Sequence, residues 1–119
     1  MIDPEALARE FEAAVGRPPR LYRAPGRVNL IGEHTDYNDG FVCPLAIEPH
    51  ILFAFAKRSD QTVRVASEQA EGLIEFDLRK EIVPLEPREH WGNYVMGIAA
   101  MLKKAGVPLS GLDCMLSAT

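Results

Sequence analysis

Four short β-prone runs follow one another between residues 41 and 78, and this region limits the folds that the chain can adopt. The runs are joined mostly by short turns, such as Arg58-Ser59-Asp60-Gln61, and two of them alternate apolar with polar side chains. Short connections favour antiparallel pairing. Because segments with helical spacing flank this β-rich centre, we expect an α+β fold with a mainly antiparallel or mixed β-sheet and two principal helices.

Both predicted helices have recognisable ends. Asp3 offers a side-chain acceptor before Pro4, whose φ is already set for a helix, and Gly16 ends the apolar pattern that follows. The second pattern covers residues 94–105 and ends at Gly106. These signals predict one helix at the start of the chain and another before its last β-prone run.

Prolines and a glycine interrupt several of the β-prone runs. Residues 21–24 read as a short strand that Pro25-Gly26 breaks before residues 27–33. Residues 41–47 and 51–57 are separated by Glu48-Pro49-His50. We therefore predict separate short strands here. The last run, residues 112–118, is a final strand.

Composition excludes several classes of protein. The chain has 119 residues, 47% of them hydrophobic, with a net charge of −4 and scattered basic residues, which argues against nucleic-acid binding. No apolar run approaches the roughly 20 residues of a membrane span, and the start does not resemble a signal peptide. Cys43 and Cys114 form no metal-binding or disulfide pattern. We expect a cytoplasmic protein. The chain ends at or just after a strand, so we expect residues 1–119 to be a partial domain that is truncated at its C-terminus.

Residues 27–40 concentrate polar chemistry. If residues 27–33 form a strand, Arg27, Asn29 and Glu33 share a face, and the opposite face is apolar. The loop after it contains hydroxyl, carboxylate, imidazole and amide groups. A solvent-facing strand is the plain alternative, but loops of this composition are common binding sites.

Two ligands suit these groups. Carboxylates accept protons from sugar hydroxyls in charge-assisted hydrogen bonds, imidazole and amide groups supply donors, and Arg27 offers a positive charge for a phosphate. A metal is the alternative, because Glu33, His34 and Asp36 can all be ligands. Their spacing matches no zinc signature, so we assign no metal ligand.

The segment Gly26-Arg27-Val28-Asn29-Leu30-Ile31-Gly32-Glu33-His34-Thr35-Asp36-Tyr37-Asn38 resembles the galactokinase signature, and residues 39–47 continue the match. Other kinases of the same GHMP superfamily, such as homoserine and mevalonate kinases, share the Pro-Gly and Gly-Glu-His pieces. The segment Trp91-Gly92-Asn93-Tyr94-Val95-Met96-Gly97 is similar to a helix start in the family. The resemblance therefore covers most of the chain and implies part of the N-terminal domain of a GHMP-type kinase.

The resemblance implies roles for individual residues. The parent enzyme would phosphorylate galactose at its anomeric hydroxyl, with ATP and Mg²⁺ as cofactors. Arg27 would be catalytic and stabilise the transferring phosphoryl group. The galactose-binding residues would be Glu33, His34, Thr35 and Asp36. Trp91, Tyr94 and Ser67 would lie near the nucleotide, although aromatic residues at a helix start more often belong to a core.

The family's phosphate loop, Pro-x-Gly-x-Gly-Leu-Ser-Ser-Ser, does not occur in this sequence. Phosphoryl transfer needs such a cradle, a metal and a group that orients the attacking hydroxyl. We therefore expect the chain alone to be inactive, to bind galactose weakly and to self-associate through apolar faces that would pack against the rest of the parent.

Three alternatives remain. A kinase of this type could act on a related sugar, such as N-acetylgalactosamine or arabinose. A galactokinase-like module without catalysis could act as a sugar sensor, although the intact Arg27 favours catalysis. A degenerate or split reading frame could also yield a short product without function.

Overall fold

The computed structural model describes residues 3–119, the side chain of Asp36 excepted, and contains one mixed sheet with two helices. The elements are helix α1 (Pro4–Val15), strands β1 (Arg20–Ile31), β2 (Cys43–Lys57), β3 (Thr62–Ser67) and β4 (Ala70–Asp77), helix α2 (Gly92–Lys104) and strand β5 (Leu112–Ala118), with a short 3-10 helix at Asp36–Asn38. The strand order is β1-β2-β5-β3-β4. All neighbours are antiparallel except β3 and β5, which are parallel. The predicted α+β class with a mixed sheet is confirmed.

The ends of α1 follow the sequence signals. The Asp3 side chain accepts a hydrogen bond from the Glu5 N–H at 3.0 Å, and Pro4 occupies the first turn. Gly16 adopts φ +82° and donates to the Glu12 carbonyl. Within residues 3–119 neither helix is long and apolar enough to cross a membrane.

Helix α2 begins before the residues from which it was predicted. Its first N–H, at Gly92, donates to Nδ1 of His90 at 3.1 Å. The Asn93 side chain accepts from the Leu85 N–H at 2.7 Å and donates to the Leu85 carbonyl. Asn93 therefore fixes the connecting segment, residues 79–90, against the start of the helix.

The prediction of separate short strands in the first half of the chain is wrong, because β1 and β2 are continuous. Pro25 lies in β1, which is an edge strand. Because the outer side of β1 pairs with no other described strand, a proline without an N–H can be placed there without the loss of a hydrogen bond. The register of β1 against β2 shifts between Pro25, which pairs with His50, and Gly26, which pairs with Ile47. This bulge accommodates Pro49 without ending the strand.

The two helices pack on opposite faces of the sheet. Leu7 and Phe11 of α1 are buried against Leu52 and Ala54 of β2. On the other face, Met96 of α2 packs in a cluster with buried residues of β3 and β4, namely Val63, Val65 and Ile74. Alternation along the strands produces this division. Helix α2 covers the β3–β4 side of its face and leaves the β2–β5 side open.

The β1–β2 hairpin extends past the rest of the sheet at the end that carries its connecting loop. Strand β5 pairs with β2 only from Ile51 to Lys57, so residues 26–31 and 43–47 form a two-stranded extension, called here the distal ribbon. Its apolar side chains are exposed: Val28, Leu30, Ile31 and Leu45. No described element covers these side chains.

Candidate functional site

The distal ribbon ends in a tightly turned loop, residues 32–42. Gly32 has φ +105°, and a Cβ at this position would lie 2.7 Å from the Phe41 carbonyl oxygen and 2.8 Å from Val42 Cα. His34 and Asp39 also adopt left-handed backbone, with φ of 60° and 57°. Only glycine fits the first position, because both the φ angle and the space exclude a side chain.

Thr35 holds the two sides of the loop together. Its Oγ1 lies 2.8 Å from the Gly32 carbonyl oxygen and 2.9 Å from that of Phe41, and the hydroxyl donates to these acceptors. The Thr35 carbonyl accepts from the N–H groups of Asn38 and Gly40. Thr35 therefore closes the loop from inside. A direct contact between Thr35 and a sugar stays a prediction.

Two neighbours, Tyr37 and Asn38, hold His34 in place. Both belong to the sequence signature, but the sequence analysis assigned them no role. Asn38 Nδ2 donates to the His34 carbonyl at 2.7 Å. The Tyr37 hydroxyl is hydrogen-bonded to His34 Nδ1, and the two rings meet edge to face with centroids 5.7 Å apart. The asparagine was the sequence feature that could have indicated this arrangement, since asparagine side chains commonly form hydrogen bonds with the nearby backbone in turns.

Arg27 and Glu33 are exposed, and within the described part of the chain neither side chain takes part in a hydrogen bond or an ion pair. Arg27 lies on β1 opposite Ala46. Glu33 does not continue the strand as predicted: β1 ends at Ile31, and the left-handed Gly32 starts a turn. Both charges are therefore available to a ligand.

The backbone of Asp36 begins the 3-10 helix, but its side chain lies outside the described residues. Its predicted sugar contact stays a prediction. Among the side chains that the structure describes, no three histidine, cysteine or acidic residues come together in a way that could hold a metal ion.

The three residues predicted near the nucleotide converge on a second feature. A cavity of about 690 Å³ lies beside α2 on the open β2–β5 side of the sheet, and Ser67, Trp91 and Tyr94 all line it. Its walls are otherwise almost entirely apolar and include Phe53, Phe55 and Leu116. None of residues 27–40 lines it. The structure therefore separates the predicted sugar loop from the predicted nucleotide residues.

Trp91 and Tyr94, the two aromatic residues at the start of α2 that line this cavity, differ in their exposure. Trp91 packs against the α2 core cluster, and its indole Nε1 is buried without a hydrogen-bond partner in the described structure. Tyr94 is 78% exposed. Cys114, which also lines the cavity, has a pKa raised to about 12 by burial, so its thiol is neutral. Trp91 therefore serves the core, while the Tyr94 ring is accessible.

Comparison with solved structures identifies relatives of the fold. The chain superposes on mevalonate kinase from Methanococcus jannaschii with a TM-score of 0.58 at 17% identity, covering 84% of this chain and 32% of that one. Such low identity supports the fold alone. The chain therefore shares the fold of about a third of that kinase.

Comparison with galactokinases gives closer matches. Residues 9–57 match the galactokinase galactose-binding signature. The chain is 45% identical to galactokinase of Chloroflexus aurantiacus over 117 residues, or 98% of this chain and 30% of the relative. It superposes on Lactococcus lactis galactokinase complexed with galactose with a TM-score of 0.78 at 36% identity, covering 96% of this chain and 30% of that one. The chain is therefore similar to galactokinases over nearly its whole length and spans about 30% of the length of these relatives.

Proposed function

We propose that this chain is the galactose-recognising part of a galactokinase, residues 1–119 forming part of its N-terminal domain. The complete enzyme would transfer the terminal phosphoryl group of ATP to the anomeric hydroxyl of galactose. The observation that supports this most is the loop of residues 32–42. Thr35 and Asn38 satisfy its internal hydrogen bonds, so Glu33 and the ring of His34 remain at the surface.

The exposed groups suit a sugar. The Glu33 carboxylate accepts hydroxyl protons, and the imidazole of His34 can complement it. A carboxylate left without its hydroxyl partner would disfavour an epimer of galactose. On this basis we assign Glu33 and His34 to galactose, and the resemblance to galactokinases extends the assignment to Thr35 and Asp36.

Arg27 has the charge needed for the chemical step. The anomeric oxygen forms a bond to the terminal phosphorus as the bond between that phosphorus and the bridging oxygen of ATP breaks, and the hydroxyl proton passes to a base. Charge accumulates on the transferring group, and a fixed guanidinium stabilises it. We assign Arg27 this role. Mg²⁺ neutralises phosphate charge in such reactions, but the described residues of this chain offer no ligand set for it.

We assign the cavity beside α2 to the base of ATP, with Tyr94, Trp91 and Ser67 among its contacts. Its apolar walls and the exposed Tyr94 ring suit a flat heteroaromatic group. No phosphate-binding glycine loop occurs in residues 1–119, so we propose that this chain alone does not catalyse transfer.

Two further proposals follow from exposure. Leu30 and Ile31 of the distal ribbon are 68% and 73% exposed, and Phe41 of the loop at its end is 98% exposed, so we propose that the isolated chain self-associates through the ribbon and this loop. Cys43 and Cys114 are both free thiols, which fits a reducing, cytoplasmic location.

The test is an NMR titration of the ¹⁵N-labelled chain with galactose. We expect shift changes at millimolar sugar that concentrate in residues 27–40 and are weaker with glucose. The Glu33→Gln variant should lose most of the response, whereas Glu71→Gln, which changes an exposed glutamate of β4, should keep it. Absence of any response in the loop of the wild-type chain would refute sugar recognition. Formation of galactose 1-phosphate by this chain with ATP would refute the proposed inactivity.

A further inference from the structure

The contact between Tyr37 and His34 determines which imidazole nitrogen is available to a ligand. A phenol is a good hydrogen-bond donor, and the unprotonated nitrogen of a neutral imidazole is a good acceptor. The hydrogen bond therefore favours a hydroxyl that donates to His34 Nδ1. A neutral ring that accepts at Nδ1 has its own proton on Nε2.

The backbone of His34 is fixed independently of its ring. His34 adopts φ 60°, which is uncommon for a residue with a side chain. The Asn38 amide holds the carbonyl of the same residue at 2.7 Å. The ring and the backbone are therefore each held by a different side chain of the adjacent 3-10 helix, so the direction of the imidazole is set before a ligand arrives.

We propose that Tyr37 is a positioning residue for sugar recognition: it fixes the neutral His34 imidazole with its proton on Nε2, so that Nε2–H is the donor offered to a sugar oxygen. This inference rests on the proposed function of the loop. It also assigns a complementary pair of groups, because the ionised Glu33 can only accept hydrogen bonds. Adjacent sugar hydroxyls, each of which donates and accepts, match a neighbouring acceptor and donor.

The tautomer can be measured directly. The imidazole ¹⁵N shifts of the wild-type chain, recorded at about pH 8 where free imidazoles are neutral, should show an Nε2–H tautomer for His34. The chain has 3 histidines, and a His34→Gln variant identifies the signal. Tyr37→Phe should change the His34 shifts toward a mixture of tautomers. Tyr22→Phe is the matched control, since it also removes a hydroxyl from an exposed tyrosine and should leave His34 unchanged.

Tyr37 is 69% exposed, so its phenylalanine variant creates no core cavity and should fold as the wild type does. An Nδ1–H tautomer in the wild-type chain, or identical His34 shifts in Tyr37→Phe, would overturn the inference. These results do not depend on any sugar.

The second arm measures galactose. Loss of one hydrogen bond to His34 should weaken galactose binding in Tyr37→Phe by about 3- to 10-fold, with no change in Tyr22→Phe. Unchanged affinity in Tyr37→Phe would overturn the positioning role even if the tautomer had changed. A wild-type chain that shows no galactose response would instead refute the proposed function of the loop, and the tautomer measurement would still decide whether Tyr37 fixes His34.

Discussion

Arg17 and Asp113 are 96 positions apart in the sequence, yet Arg17 Nη2 lies 2.8 Å from Asp113 Oδ2. The other carboxylate oxygen accepts from Arg58 Nη1 at 2.9 Å. Arg58 also donates hydrogen bonds to both carboxylate oxygens of Asp60. These hydrogen bonds are the main reason that the pKa of Asp60 lies below its usual range. One carboxylate therefore joins the segment after α1, the turn after β2 and the beginning of β5.

Replacing Asp113 with asparagine should destabilise the fold. The Asp113 side chain is 12% exposed and that of Arg58 is 22% exposed, so the change leaves two guanidinium groups near a site that water reaches poorly. We expect the free energy of unfolding to fall by about 2 kcal/mol, measured by urea denaturation. Glu75→Gln breaks the exposed ion pair with Arg64 and should change the free energy of unfolding by less than about 0.5 kcal/mol. Equal effects of the two variants would contradict a special role for Asp113.

Gly32→Ala should abolish the galactose response without unfolding the sheet. The new methyl group would collide with the Phe41 carbonyl and with Val42. Both residues lie on the side of the loop that returns to the sheet. Gly72→Ala is a matched control, because Gly72 also has a positive φ, of 95°, but has nothing within 4 Å of the added Cβ. Backbone strain should lower the free energy of unfolding of both variants by about 1 kcal/mol. Only Gly32→Ala should lose the sugar-induced NMR shifts. A normal response in Gly32→Ala would show that the loop shape is unimportant.

Asp77 should make stability depend on acidic pH. Hydrogen bonds from the Arg79 side chain and backbone lower the pKa of Asp77 from 3.8 to about 2. The folded state therefore favours the ionised form, and its stabilisation is present above about pH 4 and is lost as pH falls toward about 2. The difference in Tm between wild type and Asp77→Asn should shrink over this interval. For Glu71→Gln the difference should stay flat. A constant difference for Asp77→Asn would contradict the ion pair.

The two cysteines should differ in reactivity. Burial raises the pKa of Cys114 to about 12, whereas the Cys43 thiol is exposed on the distal ribbon. Because the thiolate is the reactive form, iodoacetamide at about pH 8 should modify Cys43 first, as followed by mass spectrometry. Cys43→Ser should remove the fast phase, and Cys114→Ser should leave it intact. Simultaneous modification would contradict the protection of Cys114 by burial.

Local signals predicted what is locally determined. The start and end of α1 follow from Asp3, Pro4 and Gly16, because a cap depends on a few neighbouring residues. The strand breaks assigned at Pro25 and Pro49 were wrong, since Pro25 lies on an edge strand and Pro49 lies at a bulge, and neither position requires a proline N–H for pairing. That information lies in the pairing of β1 and β2, which the sequence does not display.

The candidate site divides in the same way. The polar residues 27–40 could be selected from their chemistry, but the left-handed backbone of His34 could not, because it depends on the Asn38 amide and on loop closure by Thr35. Ser67, Trp91 and Tyr94 meet at one cavity, although only family resemblance, and no spacing rule, had joined them. Exposed apolar surface was expected from the sequence, but its location on the distal ribbon could not be foreseen, since alternation identifies apolar side chains but not what covers them.

The loop of residues 32–42, to which we assign sugar binding, lies at the free end of the distal ribbon, and the rest of the sheet supports the ribbon only at its other end. From Ile51, where β5 last supports β2, to Cys43 the strand continues for roughly 25 Å at about 3.3 Å per residue. A small bend at the supported end is therefore a large displacement at Glu33 and His34. Residues that brace the ribbon far from any sugar should govern how long a bound sugar stays, and stiffening the ribbon should tighten binding without altering a single residue of the loop.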